Sequence, residues 1–293
     1  MAISAEQVKE LRERTGSGMM ECKKALVEAD GDIEQAIEAM RKKGLAKAEK
    51  KADRVAAEGR IVTAVSDDGR HGVILEMNSE TDFVSGGDDF TSFANAIAKI
   101  ILEQQPADED ALLALPYDNE RDVHTARKEL VARIGENIQL RRFHRYTTDD
   151  GVIAHYLHGS RIGVMLQLEG GDAQLGRDIA MHVAASNPLA VDENSIPADV
   201  LENERNILKA QAEESGKPPE IVEKMLDGRV KKYVQENTLL GQPFVKDPDQ
   251  SVGDLLKNAG ATVRGFTRFE VGEGIEKQEG NFAEEVMAQV RDS

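Results

Sequence analysis

Two stretches of this chain, about 90 residues apart, are written in the same pattern. Gly59-Arg60-Ile61-Val62-Thr63-Ala64-Val65, a short turn and Gly72-Val73-Ile74-Leu75-Glu76 read as a hairpin of β-prone strands. Gly151-Val152-Ile153-Ala154-His155-Tyr156-Leu157, a turn and Gly163-Val164-Met165-Leu166-Gln167 repeat it. Each hairpin is followed by an amphipathic helical stretch, around 93–102 and 178–185, and then by a later β-prone run, at 138–143 and 263–269. Two related α+β subdomains, each a small antiparallel sheet with helices, are the economical reading. The copies differ at one place. After its second strand the first has Asn78-Ser79-Glu80-Thr81-Asp82-Phe83-Val84, and the second has only Glu169-Gly170-Gly171-Asp172.

The flanking segments are helical. Ser4 with Gln7 forms a capping-box pattern ahead of Val8 and Leu11, and the first helix runs to Thr15-Gly16. Met20, Ala25 and Leu26 belong to a second helix that stops at Asp30-Gly31. Asp32 with Gln35 opens a third carrying Ile33, Ala36, Ile37 and Met40, which Gly44 is expected to end. Such a module buries little core and resembles the three-helix fold of ubiquitin-associated domains, a binding module. Residues 41–54, with seven basic and two acidic side chains, suit a solvated helical or flexible linker. Residues 197–236 hold two amphipathic arms joined at Ser215-Gly216-Lys217-Pro218-Pro219, which predicts an antiparallel helical hairpin. A last helix is expected over 281–291, with Phe282, Val286, Met287 and Val290 on one face. The expected domains are 1–55, a three-helix module with its linker; 56–145, the first core subdomain; 146–185 with 237–270, the second; 186–236, an inserted hairpin of dimerisation type; and 271–293, a C-terminal helical module.

Composition narrows the function. No apolar run approaches the ~20 residues that span a bilayer, and Met1-Ala2-Ile3-Ser4 leads straight into a charged helix without a signal-peptide pattern. With one cysteine, Cys22, no internal disulfide can form, and the reducing cytoplasm is the expected location. The formal charge is −17. Residues 1–55 carry 12 Lys/Arg against 11 Asp/Glu, so the remainder holds −18. Such an acidic body is a poor match for a nucleic-acid backbone. It serves solubility or steers the chain toward a basic partner surface, and charge alone does not choose.

Signatures of bond chemistry fail one by one. Ser215-Gly216-Lys217-Pro218 imitates a phosphate loop, but position 211 is Gln and Pro218 stands where Ser or Thr is required. Thr15-Gly16-Ser17-Gly18 lies between helices, not after a strand. His155 and His158 sit near a strand end with rings on different faces and no third ligand near in sequence. Cys22 lies in a helical stripe and reads as structural. Abundant carboxylates include none in the apolar setting that would mark a general acid. The chain does not read as an enzyme, and it calls for no cofactor and no metal. Thr81-Asp82-Phe83-Val84 leaves a strand and runs into a polar, turn-rich stretch. Phe83 there either folds back over its own hairpin or stands exposed beside a carboxylate as a contact anchor.

A series of motifs resembles bacterial elongation factor Ts along essentially the whole chain. They are Leu11-Arg12-Glu13-Arg14-Thr15-Gly16, Gly18-Met19-Met20, Cys22-Lys23-Lys24-Ala25-Leu26 and Thr81-Asp82-Phe83-Val84. Ile134-Gly135-Glu136-Asn137, Met181-His182-Val183-Ala184-Ala185, Gly241-Gln242-Pro243-Phe244-Val245 and Arg268-Phe269-Glu270-Val271-Gly272-Glu273-Gly274 follow in order. Each is weak alone, and together they are specific. The resemblance implies an exchange factor that binds GDP-loaded elongation factor Tu and opens its nucleotide site, without direct nucleic-acid or membrane contact, in a 1:1 or 2:2 complex. By the same resemblance Phe83 wedges between helices of the GTPase domain, and Asp82 disturbs its Mg²⁺, with Thr81 and Val84 completing the motif. Met19, Met20 and Lys23 dock near the phosphate side; His158 and Val245 hold another domain of the partner, and the C-terminal helix adds a contact. Two rival readings are a tethering adaptor built on the N-terminal helices and a structural oligomer built on the hairpin.

Overall fold

The computed structural model describes residues 3–214 and 218–276. The expected helix at 281–291 and the Ser215-Gly216-Lys217 turn lie outside these residues.

The chain opens with α1 (Ala5–Thr15), α2 (Met19–Glu28) and α3 (Ile33–Glu49). The Ser4 hydroxyl accepts the Gln7 N–H at 3.2 Å, while the Gln7 side chain accepts the Ser4 N–H at 3.0 Å. Asp32 accepts the Gln35 N–H at 3.0 Å. Val8, Leu11, Cys22, Ala25, Leu26 and Ala36 form a small buried core. Gly44 does not end the third helix, which continues to Glu49. A Cβ at Gly44 would lie 3.0 Å from the Ala132 Cβ, so the glycine marks a close helix–helix approach. Of the basic stretch 41–54, the part up to Glu49 is helix, largely exposed as a solvated helical linker would be, and 50–54 form turns. Arg41 pairs with Glu129 at 2.6 Å and Lys128 with Glu49 at 2.7 Å, so part of its charge is spent in docking.

The first sheet follows, with β1 (Glu58–Val65), β2 (His71–Ser79) and, after four helices, β3 (Ile138–Thr147) in the order β1-β2-β3. The helices are α4 (Asp82–Ser85), α5 (Asp88–Gln104), α6 (Glu109–Leu113) and α7 (Val123–Ile134). On α5 Phe90, Phe93, Ala94, Ile97, Ala98 and Ile101 are buried at three- and four-residue intervals, one apolar face of a helix. Contrary to the sequence reading, one carboxylate does sit in an apolar run and is fully buried: Glu76, between Leu75 and Met77. It escapes the role of a general acid because its charge is satisfied. One oxygen accepts from Arg141 and the Gly272 N–H, each at 2.8 Å, and the other from Arg142 at 2.6 Å. Burial pushes the carboxyl pKa up, but the Gly272 N–H, Arg141 and Arg142 together outweigh it and hold the group below its ordinary value.

The second half repeats the pattern. β4 (Val152–His158), β5 (Ile162–Glu169) and β8 (Thr262–Glu270) form an antiparallel sheet in the order β4-β5-β8. Its third strand again lies beside the second strand of the hairpin. α8 (Ala173–Ser186) covers it, started by Asp172, whose carboxylate accepts the Leu175 N–H at 2.8 Å. Between β5 and β8 come α9 (Ala198–Glu213) and α10 (Pro219–Asn237), which pack on each other as the expected hairpin. The short β6 (Pro243–Phe244), β7 (Asp247–Ser251) and α11 (Val252–Asn258) complete it. Leu166, Leu168, Ile179, Val183, Leu239 and Val252 are at the centre of this core. No helix among the described residues is long and apolar enough to cross a membrane.

Among the described residues two compact units divide the chain: residues up to 60, 76–142 and 271–276 belong to one, and 61–75 with those of 143–270 to the other. Within the second, the Ile61 N–H donates to Ser160 O at 2.8 Å and the Ile153 N–H to Gly69 O at 2.8 Å. Also within it, His182 is fully buried. Its Nδ1 accepts the Val245 N–H at 3.1 Å, which leaves the proton on Nε2, 2.9 Å from Gln242 Oε1. Burial holds its pKa below the ordinary value, more than the Gln242 bond raises it.

Two stability measurements follow. Removing the charge in Glu76→Gln leaves two arginines short of their partner and should cost about 3 kcal/mol in urea unfolding at neutral pH. Because the folded carboxyl has the lower pKa, its contribution is present above the unfolded value of ~4.3 and fades as the pH falls through the folded one. The gap between wild type and Glu76→Gln should therefore narrow in acid. His182 has the opposite charge type but also a depressed pKa. Below ~6.5 the unfolded chain takes up a proton that the folded site refuses, so stability falls with pH. His182→Gln should be less stable at pH 7.5 and show a shallower decline toward pH 5.5 in the same assay.

Candidate functional site

The ends of β2 and β3 build the site. β2 stops at Ser79, and the chain steps out through Glu80 and the extended N-cap Thr81 into α4, so Asp82, Phe83 and Val84 lie on one helical turn. The turn forms because Gly86 N–H reaches Asp82 O at 3.0 Å and Ser85 Oγ donates to the same carbonyl at 3.1 Å. Gly87 then caps the start of α5. On the neighbouring strand, α7 ends at Ile134 and Gly135 adopts a left-handed conformation (φ +91°) that only glycine takes freely. That reversal feeds Glu136 and Asn137 into β3. Since β2 and β3 are adjacent, residues 80–81 and 136–137 meet although they are more than 50 positions apart.

They meet through two carboxylates. Glu136 Oε2 accepts the Thr81 N–H at 2.9 Å, and its Oε1 accepts the Thr81 hydroxyl at 2.7 Å. Glu80 Oε1 accepts the Asn137 N–H at 2.7 Å. Thr81 stands at the N-cap of α4, yet its hydroxyl makes no cap bond to its own helix and is spent on Glu136. Ser79 Oγ donates to Thr81 O at 2.8 Å, and Arg54 pairs with Glu80 at 3.4 Å. Asn137 is buried and donates to Ala52 O at 3.1 Å and Arg54 O at 2.7 Å, which fixes the segment after α3 to the same base.

On that base the motif divides sharply. Ser85 is buried, whereas Val84 is half-buried and lines an open notch with Gly87, Asp88, Asp89, Phe90 and Ile134. Asp82 is exposed, and Phe83 is 90% exposed. An aromatic ring with that much surface in water does nothing for the free chain, and its burial against another surface would be worth about 1.5–3 kcal/mol. The rim is acidic, carrying Asp82, Asp88 and Asp89, with Arg133 paired to Asp89 at 3.2 Å.

The other residues singled out in the sequence are also at the surface. Met19 and Met20 are 60% and 78% exposed at the start of α2, and Lys23 and Val27 continue that exposed face one and two turns on. His158 is exposed at the end of β4, with Tyr156 Oη 3.3 Å from its Nδ1. Val245 is half-exposed, and its backbone is tied to the buried His182. Cys22 is buried in the small helical core, its sulfur 3.7 Å from Ser17 O. Sequence reasoning missed Glu80, Glu136 and Asn137 as parts of the site. The signal was present in Ile134-Gly135-Glu136-Asn137, but nothing local says that its carboxylate faces Thr81. Among the described residues no group of three His, Cys, Asp or Glu side chains is arranged to hold a metal ion.

With this geometry in view, the relatives are informative. The family model described as elongation factor TS matches residues 80–273, from the base of the exposed turn to the segment that bonds Glu76. Over all 293 residues, and all of each relative, the chain is 64% identical to an elongation factor Ts of Alkalilimnicola ehrlichii and 64% identical to one of Halorhodospira halophila. An elongation factor Ts of Methylococcus capsulatus is 60% identical over the same span. The chain therefore belongs to the elongation factor Ts family, proteins of translation elongation.

Proposed function

We propose that this chain is the guanine-nucleotide exchange factor of elongation factor Tu: it binds the GDP-bound GTPase, disturbs its Mg²⁺ and phosphate site, and speeds GDP release so that GTP can enter. The observation that carries the reading is Phe83, an aromatic side chain 90% exposed on a turn held at its base. An exposed ring on a fixed support is a contact anchor. In this reading Phe83 is inserted between helices of the GTPase domain, Asp82 bears on the Mg²⁺ environment, and Thr81 and Val84 seat the turn. Met19, Met20 and Lys23 dock on the same domain near its phosphates. His158 and Val245 hold a second domain, and the α9–α10 hairpin serves assembly, in a 1:1 or 2:2 complex. The chain makes and breaks no covalent bonds, takes no cofactor, and works in the cytoplasm apart from nucleic acid and membrane.

Magnitudes divide the labour. Speeding release by about 10⁴-fold requires roughly 5.5 kcal/mol of differential stabilisation. One buried Phe supplies about 1.5–3 kcal/mol. The rest must come from Mg²⁺ destabilisation and from docking surfaces that favour the nucleotide-free partner. Coupling is reciprocal, so GDP weakens the complex by the factor by which the complex weakens GDP.

Release of a fluorescent GDP from elongation factor Tu, followed with and without micromolar chain, tests the reading. Acceleration is expected, and its absence would overturn the proposal. Phe83→Ala should slow stopped-flow release much more than it weakens the complex measured by calorimetry. Equal losses in both would contradict the wedge role.

A further inference from the structure

We infer that Glu136 is a positioning residue of the exchange site, one that holds Phe83 in its outward pose before any partner arrives; the inference rests on the exchange-factor reading above. The bonds inside the turn, Ser79 Oγ to Thr81 O and Gly86 N–H to Asp82 O among them, give it a shape. They do not fix where that shape sits. The bonds that arrive at Thr81 from outside the segment both end on Glu136, one from the backbone at 2.9 Å and one from the hydroxyl at 2.7 Å. Both carboxylate oxygens are used, so the group acts as a two-point clamp and sets an orientation as well as a distance. The adjacent clasp runs the other way, from Asn137 N–H to Glu80. Asn137 carries the constraint on to Ala52 and Arg54. A helix of four residues has no stability of its own. Without the clamp, Phe83 would sample many poses, and each encounter would have to select the productive one.

Glu136 touches Thr81 and stands two residues from Phe83 through it, so its effect should be transmitted only where Phe83 is present. The test is fluorescent-GDP release from elongation factor Tu over a range of chain concentrations, with Glu136→Ala, Phe83→Ala and the double variant. Urea unfolding establishes that each is folded. Glu136→Ala should slow the maximal release rate about tenfold, as the loss of two charge-assisted bonds allows. The half-saturating concentration should move by less than about twofold, because the other docking surfaces are untouched. In the Phe83→Ala background the same substitution should cost less than about twofold. Glu136→Gln, whose amide oxygen still accepts one of the two bonds, and Thr81→Val, which removes only the hydroxyl, should fall between wild type and Glu136→Ala. They also serve if Glu136→Ala does not fold. Wild-type rates for all three Glu136 and Thr81 variants, or an equal tenfold loss with and without Phe83, would overturn the positioning role while leaving the exchange reading intact. A wild-type rate for Phe83→Ala would overturn the positioning role together with the wedge role of Phe83, whereas no acceleration by the unaltered chain would overturn the exchange reading.

Discussion

The carboxylate of Glu136, with both oxygens committed to Thr81, is the interaction on which the site depends. It can form only because β2 and β3 are neighbours, which brings residues at the end of one strand beside residues at the start of the other. That adjacency is itself secured at Glu76, where a buried charge on β2 is shared by two arginines of β3 and a backbone N–H at residue 272. A buried ion cluster is a weak source of net stability, but a wrong strand register would leave the buried Glu76 carboxylate without its arginine partners. Glu76 therefore specifies the sheet, the sheet aligns two chain ends, and the carboxylates of Glu80 and Glu136 clasp those ends. The exposed Phe83 is the outcome of that sequence of constraints.

Much of this was legible from residues alone. The paired hairpins, the capping of α1 and α3 and the two-armed helical hairpin follow from local pattern, and the structure has them. Gly44 misled because glycine ends helices as a rule, whereas here its missing side chain lets α3 pass Ala132. The charges of 41–54 suggested a helical or flexible linker but not its docking, because the partners on α7, Glu129 for Arg41 and Lys128 for Glu49, lie more than 70 residues away. The stretches that form α6, α7, β6, β7 and α11 gave no local pattern strong enough to assign. At the site, the motif 81–84 was legible as a feature but not as a helical turn, and its support was not legible at all. A contact between Thr81 and Glu136 is a property of the sheet order, which no local window contains.

The two halves of the core also explain how one of them came to carry the site. Each places a helix after its second strand, but the passages differ. In the second half Asp172 caps α8 directly with its own carboxylate, a compact solution that exposes no aromatic side chain. In the first half the passage is longer, the Thr81 hydroxyl is diverted from capping to Glu136, and a four-residue helix is inserted ahead of α5. The extra turn is held from outside and offers its apolar residue to the solvent. His182 plays a comparable part elsewhere, fixing the backbone of Val245 from a buried position. Both arrangements place the surface residue and its support in different segments of the chain.

The most direct measurement of the central claim exploits the absence of tryptophan from this chain. A Phe83→Trp variant would carry a single indole at the tip of the turn. In the free protein its emission should be that of solvated indole and should be quenched freely by iodide, with restricted rotation relative to a flexible peptide. Adding elongation factor Tu, with its own emission subtracted, should shift the signal to the blue and shield it from iodide. A shielded indole in the free chain, or one still open to iodide in the complex, would contradict the account of Phe83 as a preset contact anchor.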